Sequence, residues 1–72
     1  MIVPHHQKTG DLERRVLVLL DSNPRIAFEP VLVARRVREN PQVVWRALTR
    51  LALTGKVSRV GHGAFQSIRG VE

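Results

Sequence analysis

Apolar residues recur at helical spacing in three segments of the chain. The first segment begins after Asp11, a residue type that caps helix N-termini, and ends at Ser22, Asn23 and Pro24. Its apolar stripe consists of Leu12, Val16, Leu19 and Leu20. This pattern predicts helix 1 over residues 11–22. The aperiodic residues 1–10 predict an arm or an ordered cap over the core.

Two further segments begin with proline and predict two more helices. Pro30 fits the first turn of helix 2, which we place over residues 30–38. Asn40 followed by Pro41 is a strong start for helix 3, over residues 41–54, with Gly55 as its stop. The predicted inward positions are Val33, Ala34 and Val37 in helix 2 and Val44, Ala47, Leu48 and Leu51 in helix 3. The two residues between these helices allow only a tight turn.

The remaining segments are short and extended. Residues 25–28 predict a brief strand or an extended linker, and residues 56–69 predict a two-stranded hairpin around Gly61, His62 and Gly63. The phase of the second strand stays open, because Phe65 and Ile68 cannot share one face without a bulge or a bend. The predicted fold class is α+β, with three helices, a short strand and a C-terminal hairpin in one domain over residues 11–70.

The net charge of +6 lies entirely within residues 35–59, where seven bases face only Glu39. Outside this window five bases balance five acids. Ten of the twelve bases are arginine, whose planar guanidinium suits phosphate groups and guanine edges. A local field of this kind attracts a polyanion.

Other classes of protein fit the composition poorly. A chain of 72 residues has little room for a deep catalytic cavity, and its six carboxylates form no pair beside a nucleophile, so we expect neither an enzyme nor a cofactor. Without cysteine, and with His5 and His6 adjacent and therefore divergent, no metal site is expected. No apolar run approaches the roughly 18 residues of a membrane span, which predicts a cytoplasmic, nucleoid-associated protein without a membrane partner.

The core of the chain has the pattern Ala34-x-x-Val37-x-x-Asn40-Pro41-x-x-Val44-x-Arg46-x-Leu48-x-x-Leu51-x-x-x-Gly55-x-Val57. This pattern resembles that of bacterial and archaeal winged helix-turn-helix DNA-binding domains, and the resemblance covers nearly the whole chain beyond the N-terminal arm. Residues 57–65 resemble the family's wing, whose tip often bears a basic residue between glycines. The chain departs from the family at Arg38 and Glu39, where the turn often contains glycine and an apolar residue. The resemblance implies a winged helix fold with helix 3 in the major groove of double-stranded DNA.

The resemblance and the helical wheel together indicate the residues that contact DNA. On the outer face of helix 3, Gln42 would pair with adenine and Arg46 with guanine. Thr49 and Arg50 would touch phosphates or a flanking base. The other expected contacts are Val43 and Trp45 on helix 3, Arg36, Arg38 and Asn40 in helix 2 and the turn, and Lys56, Arg59 and His62 in the wing. The alternatives are a half-buried packing role for Trp45 and a solvating role for the helix 2 arginines.

The leading hypothesis is a sequence-specific DNA-binding protein that regulates transcription. Leu17 and Val18 point away from the helix 1 stripe, so we expect another surface to cover them, either the partner in a homodimer or the Ile2-Val3 arm. One alternative is the DNA-binding module of a larger DNA translocase, replication or conjugation protein. Another is a winged helix that binds RNA or a protein, in which case Gln42→Ala and Arg46→Ala would relax no sequence preference.

Overall fold

The computed structural model describes the backbone of residues 5–70 and the side chains from residue 10 onward. Three helices precede an antiparallel hairpin and a short 3₁₀ turn, which confirms the α+β class. The elements are α1 (His5–Ser22), α2 (Pro30–Val37), α3 (Pro41–Leu53), β1 (Val57–Val60), β2 (Ala64–Ser67) and the 3₁₀ turn Ile68–Gly70. Among these residues, none of the helices has the length and hydropathy needed to cross a membrane.

Helix α1 begins earlier than the sequence predicts. It starts at His5, so Asp11 is not its N-cap and residues 5–10 belong to the helix. Asp11 instead lies one turn before Arg15, with its carboxylate 3.6 Å from the guanidinium. Hydrophobic periodicity detects only helices that have an apolar face, and residues 5–10 contain no apolar side chain. The rest of the predicted arm, residues 1–4, lies outside the described residues.

Helices α2 and α3 start where their prolines predict and end one residue early. Pro30 and Pro41 each occupy the first turn of their helix. Helix α2 ends at Val37, because Arg38 adopts a left-handed conformation. The predicted stop after α3 is confirmed, since Gly55 has φ +77°.

The core lies between the three helices and the inner face of the hairpin. The buried apolar residues in the described part are Leu12, Val16, Leu20, Phe28, Val33, Ala34, Val37, Val44, Ala47, Leu48, Leu51, Val57 and Phe65. All predicted inward positions of α2 and α3 are in this set. From the predicted α1 stripe, Leu19 is only partly buried against the core.

The surface that partly covers Leu17 is the domain's own core. Leu17 is partly buried against the core, whereas Val18 is 58% exposed. One flank of α1 carries Glu13, Leu17 and Asp21 at four-residue spacing, and Glu13 and Asp21 contact α3 and β2. Leu17 therefore lies on a flank that packs against other elements. A single helical stripe underestimates the buried sector of a helix with neighbours on both sides.

Strand β2 lies between β1 and one extended residue of the linker. Phe28 exchanges two backbone hydrogen bonds with Phe65, of 2.7 and 2.8 Å, so the predicted first strand is reduced to a single bridge. Phe65 and Ser67 both point into the core. Ile68 is exposed because the strand ends at Ser67 and the chain turns into the 3₁₀ segment, which supplies the bend that the sequence required.

Polar contacts join the C-terminal segment to α1 and the following loop. The buried Ser67 hydroxyl donates to Asp21 Oδ1 at 2.7 Å, and Gln66 Nε2 donates to the Pro24 carbonyl at 2.9 Å. Gly70 lies against the same carbonyl, so closely that an added Cβ would overlap Pro24. These contacts fix the hairpin beside the helices.

Candidate nucleic-acid interface

The N-terminus of α3 is held by its capping residue. The Asn40 side chain accepts a hydrogen bond of 2.8 Å from the Gln42 backbone N–H, which satisfies one of the amides that a helix start leaves free. Asn40, Pro41 and Gln42 are all exposed. The positive end of the α3 dipole therefore faces solvent, where it favours an anion.

The turn before α3 owes its shape to backbone contacts around Arg38. Arg38 has φ 59° and ψ 51°, and the next amide, of Glu39, donates to the Ala34 carbonyl at 3.0 Å. The Arg15 guanidinium of α1 donates to the Val37 carbonyl and lies 3.7 Å from the Glu39 carboxylate. The Arg38 side chain remains exposed at the corner of the turn.

The outer face of α3 presents Gln42 and Arg46 to solvent, as predicted. Both are exposed, and Arg46 has no salt-bridge partner among the described side chains. Val43 is also exposed beside this row. Leu53, at the end of the helix, is 83% exposed and extends the row with an apolar side chain that the sequence analysis did not include.

Trp45 packs α3 against the hairpin. Its ring meets Phe65 edge-on, with centroids 5.6 Å apart and planes inclined by 75°. The Arg59 guanidinium lies 5.3 Å from the Trp45 centroid and 5.9 Å from the Phe65 centroid. With 38% of its surface exposed, Trp45 has the half-buried packing position that was the alternative interpretation of this residue.

Thr49 and Arg50 are less available for DNA contact than Gln42 and Arg46, and Arg36 lies on another surface. The Thr49 hydroxyl oxygen is buried and has no hydrogen-bond partner among the described residues. Arg50 reaches sideways to α1, where its guanidinium is 3.5 Å from the Glu13 carboxylate. Arg36 borders a groove between α1 and α2. A helical wheel gives only the direction of a side chain from the helix axis. The contact of Arg50 with α1 depends on how the helices pack, which the wheel of one helix does not show.

The predicted basic residues of the hairpin are all exposed. Lys56 is exposed, and its backbone N–H donates to the Leu51 carbonyl at 2.8 Å, which ties the start of the hairpin to the helix. Arg59 projects over Trp45 as described. His62 is exposed in the three-residue turn, next to Gly61 with φ +64°.

The basic window is almost unneutralised in the folded chain. All seven of its bases are exposed, and among the described side chains only Arg50 has a carboxylate within salt-bridge distance. Glu39, the one acid of the window, pairs with Arg15 from outside it. Arg15 was not predicted to matter, because its long-range contacts to α2 leave no signal in the sequence. The exposed bases of α2, α3 and the hairpin therefore keep their charge available to an anion, with Arg36 at the groove between α1 and α2.

No group of three or more potential metal ligands occurs within the part of the chain that the structure describes. Comparison of the chain with protein-family models, with curated proteins and with solved structures found no match.

Proposed function

We propose that this chain is a winged helix domain that binds double-stranded DNA in a sequence-specific manner. The observation that carries the proposal is the set of exposed, almost unneutralised bases around a capped helix whose outer face presents Gln42 and Arg46. In this proposal α3 is the recognition helix, and the hairpin is the wing. Regulation of transcription is the role that suits sequence recognition best.

Base recognition is assigned to Gln42 and Arg46. They lie four residues apart, and a helix rises about 1.5 Å per residue, so their Cα atoms are separated by roughly 6 Å along the axis. That distance spans nearly two base-pair steps of about 3.4 Å, which lets the two side chains contact base pairs one or two steps apart. A helix about 10–12 Å across fits the major groove, which is about 12 Å wide.

Phosphate contacts are assigned to the bases on either side of the recognition helix. Arg35 and Arg38 flank its N-terminal end, and Lys56, Arg59 and His62 lie at the hairpin. About four to six such contacts would make the logarithm of affinity fall with the logarithm of salt concentration at a slope of roughly −4 to −5. The positive end of the α3 dipole adds attraction for a phosphate there.

The proposal is tested by comparing Arg46→Ala with Arg25→Ala. Both remove one exposed arginine, but Arg25 lies in the loop after α1, outside the basic window. On the duplex sequence that the protein prefers, loss of one bidentate base contact of about 1–3 kcal/mol lowers affinity roughly 5- to 150-fold. Fluorescence anisotropy should show this loss for Arg46→Ala and a change within about twofold for Arg25→Ala.

Equal effects of the two substitutions would mean that only total charge matters and that α3 reads no sequence. Duplex RNA of the same sequence provides a second control. Its deep, narrow major groove does not admit α3, so we expect weaker binding than to DNA. Tighter binding to RNA would contradict the assignment of the substrate.

A further inference from the structure

The groove that Arg36 borders lies between α1 and α2, on the far side of the bundle from the outer face of α3. Val18, Leu19 and Ser22 of α1 line it, and Arg14, Arg36 and Arg38 stand around its edge. No residue of α3 or of the hairpin contributes to it. Because each of the three helices packs against the other two, a surface formed by α1 and α2 alone faces away from α3. DNA bound along α3 would reach this groove only at Arg38, which also borders the start of α3, and would leave Val18 and Leu19 open.

We propose that the groove docks an acidic amphipathic segment of a partner protein. Its floor is apolar, since Val18 is 58% exposed and Leu19 is only partly covered by the core. Among the described side chains, none of the three arginines at the edge has a carboxylate within salt-bridge distance. An apolar strip with cations around it is complementary to a peptide that carries apolar side chains on one face and carboxylates beside them.

Arg15 differs from the other arginines of the groove because its charge is paired within the domain. It also lines the groove, but its guanidinium is engaged by the Val37 carbonyl and by the carboxylates of Asp11 and Glu39. Its charge is therefore compensated within the domain, whereas Arg14 and Arg36 remain available to a partner even when Arg38 contacts DNA. The acidic groups that the chain places near this side are already used by Arg15.

A second copy of the chain fits this groove less well. A twofold contact through Val18 would bring the arginines of one copy close to those of the other, and each chain already carries a net charge of +6. Like charges across an interface cost several kcal/mol. DNA is also less suitable, because a phosphate backbone gains nothing from the exposed apolar floor. The proposed partner satisfies both the charge and the apolar surface.

The test uses a fluorescein-labelled peptide with leucine at helical i, i+3, i+4 and i+7 spacing and glutamate at the other positions. Its matched control has the same composition with the leucines scrambled off a common face. Arg14→Glu and Arg25→Glu change the protein's charge equally, and only Arg14 borders the groove. We expect roughly tenfold weaker binding for Arg14→Glu and for Val18→Glu, and less than a twofold change for Arg25→Glu.

Residue-resolved mapping identifies the occupied surface. With ¹⁵N-labelled protein, the peptide should shift the amides of residues 18, 19, 22 and 36, while a DNA duplex shifts those of α3. Binding that is as tight for the scrambled peptide, or equally weakened by Arg25→Glu, would overturn the proposal. Peptide shifts confined to α3 would do the same by showing competition for the DNA surface. A dimer in sedimentation that Val18→Glu dissociates would assign the groove to a second copy. The DNA titration is read separately, so failure of one proposal is distinguishable from failure of the other.

Discussion

Arg38 has a backbone conformation that favours glycine. Replacing it with glycine should raise the stability of the fold and lower the affinity for DNA. Its φ of 59° and ψ of 51° place it in the left-handed region. A left-handed conformation costs a residue with a Cβ about 1–2 kcal/mol. Glycine avoids this cost but loses about 0.5–1 kcal/mol more conformational entropy on folding. Arg38→Gly should therefore stabilise the domain by about 0.5–1 kcal/mol.

The assay is thermal and denaturant unfolding of three variants followed by circular dichroism. For a domain of this size, the expected gain raises Tm by roughly 2–8 °C. Arg38→Ala removes the same charge but keeps the Cβ, so it should show no such gain. Arg35→Gly makes the same substitution within α2 and should cost about 1 kcal/mol, because glycine weakens a helix interior.

In the proposed function, Arg38 also contacts a phosphate. Arg38→Gly should then bind DNA more weakly and reduce the slope of log affinity against log salt by about 0.9, although the protein is more stable. If Arg38→Gly destabilises the fold as much as Arg35→Gly does, the reasoning from the backbone conformation is refuted. An unchanged salt slope would refute the phosphate contact alone.

Three further substitutions test the contacts that position α3 and the hairpin. Asn40→Ala removes the cap of α3 and should cost about 1 kcal/mol in denaturant unfolding, whereas Asn40→Asp should retain stability; equal losses would argue against capping. Gly70→Ala should lower the free energy of unfolding by about 1–3 kcal/mol, because the added Cβ meets the Pro24 carbonyl. Gly63 has open space around it, so Gly63→Ala should change the free energy of unfolding by less than about 0.5 kcal/mol. Ser67→Ala removes a buried donor to a carboxylate and should cost about 1–2 kcal/mol by thermal unfolding, and an unchanged Tm would show that this hydrogen bond contributes nothing.

The parts of the fold that the sequence predicted are those governed by neighbouring residues. Pro30, the Asn40-Pro41 pair and Gly55 mark helix ends through their own backbone chemistry, so the limits of α2 and α3 were predicted to within one residue. The start of α1 was missed because residues 5–10 have no apolar periodicity. Helical wheels likewise predicted the buried faces of α2 and α3 but not the second covered flank of α1.

The sequence predicted the charge of the candidate interface but only part of its side-chain contacts. Counting residues located the basic window, and the wheel placed Gln42 and Arg46 on the outer face. The pairing of Arg50 with Glu13 and the position of Arg59 over Trp45 join residues that are distant in the chain. Such contacts depend on how the helices and the hairpin pack, so the residue pattern within one element does not predict them.

The central claim is that this domain reads double-stranded DNA through α3. The most direct test is selection of bound duplexes from a random-sequence pool at several salt concentrations, with the wild-type protein and the Gln42→Ala variant. The account predicts an enriched motif for the wild type, loss of preference at one adenine position in the variant, and a salt slope of roughly −4 to −5. Absence of any enriched motif, or the same motif with both proteins, would contradict base recognition by α3, and absence of binding at low salt would contradict the proposed function itself.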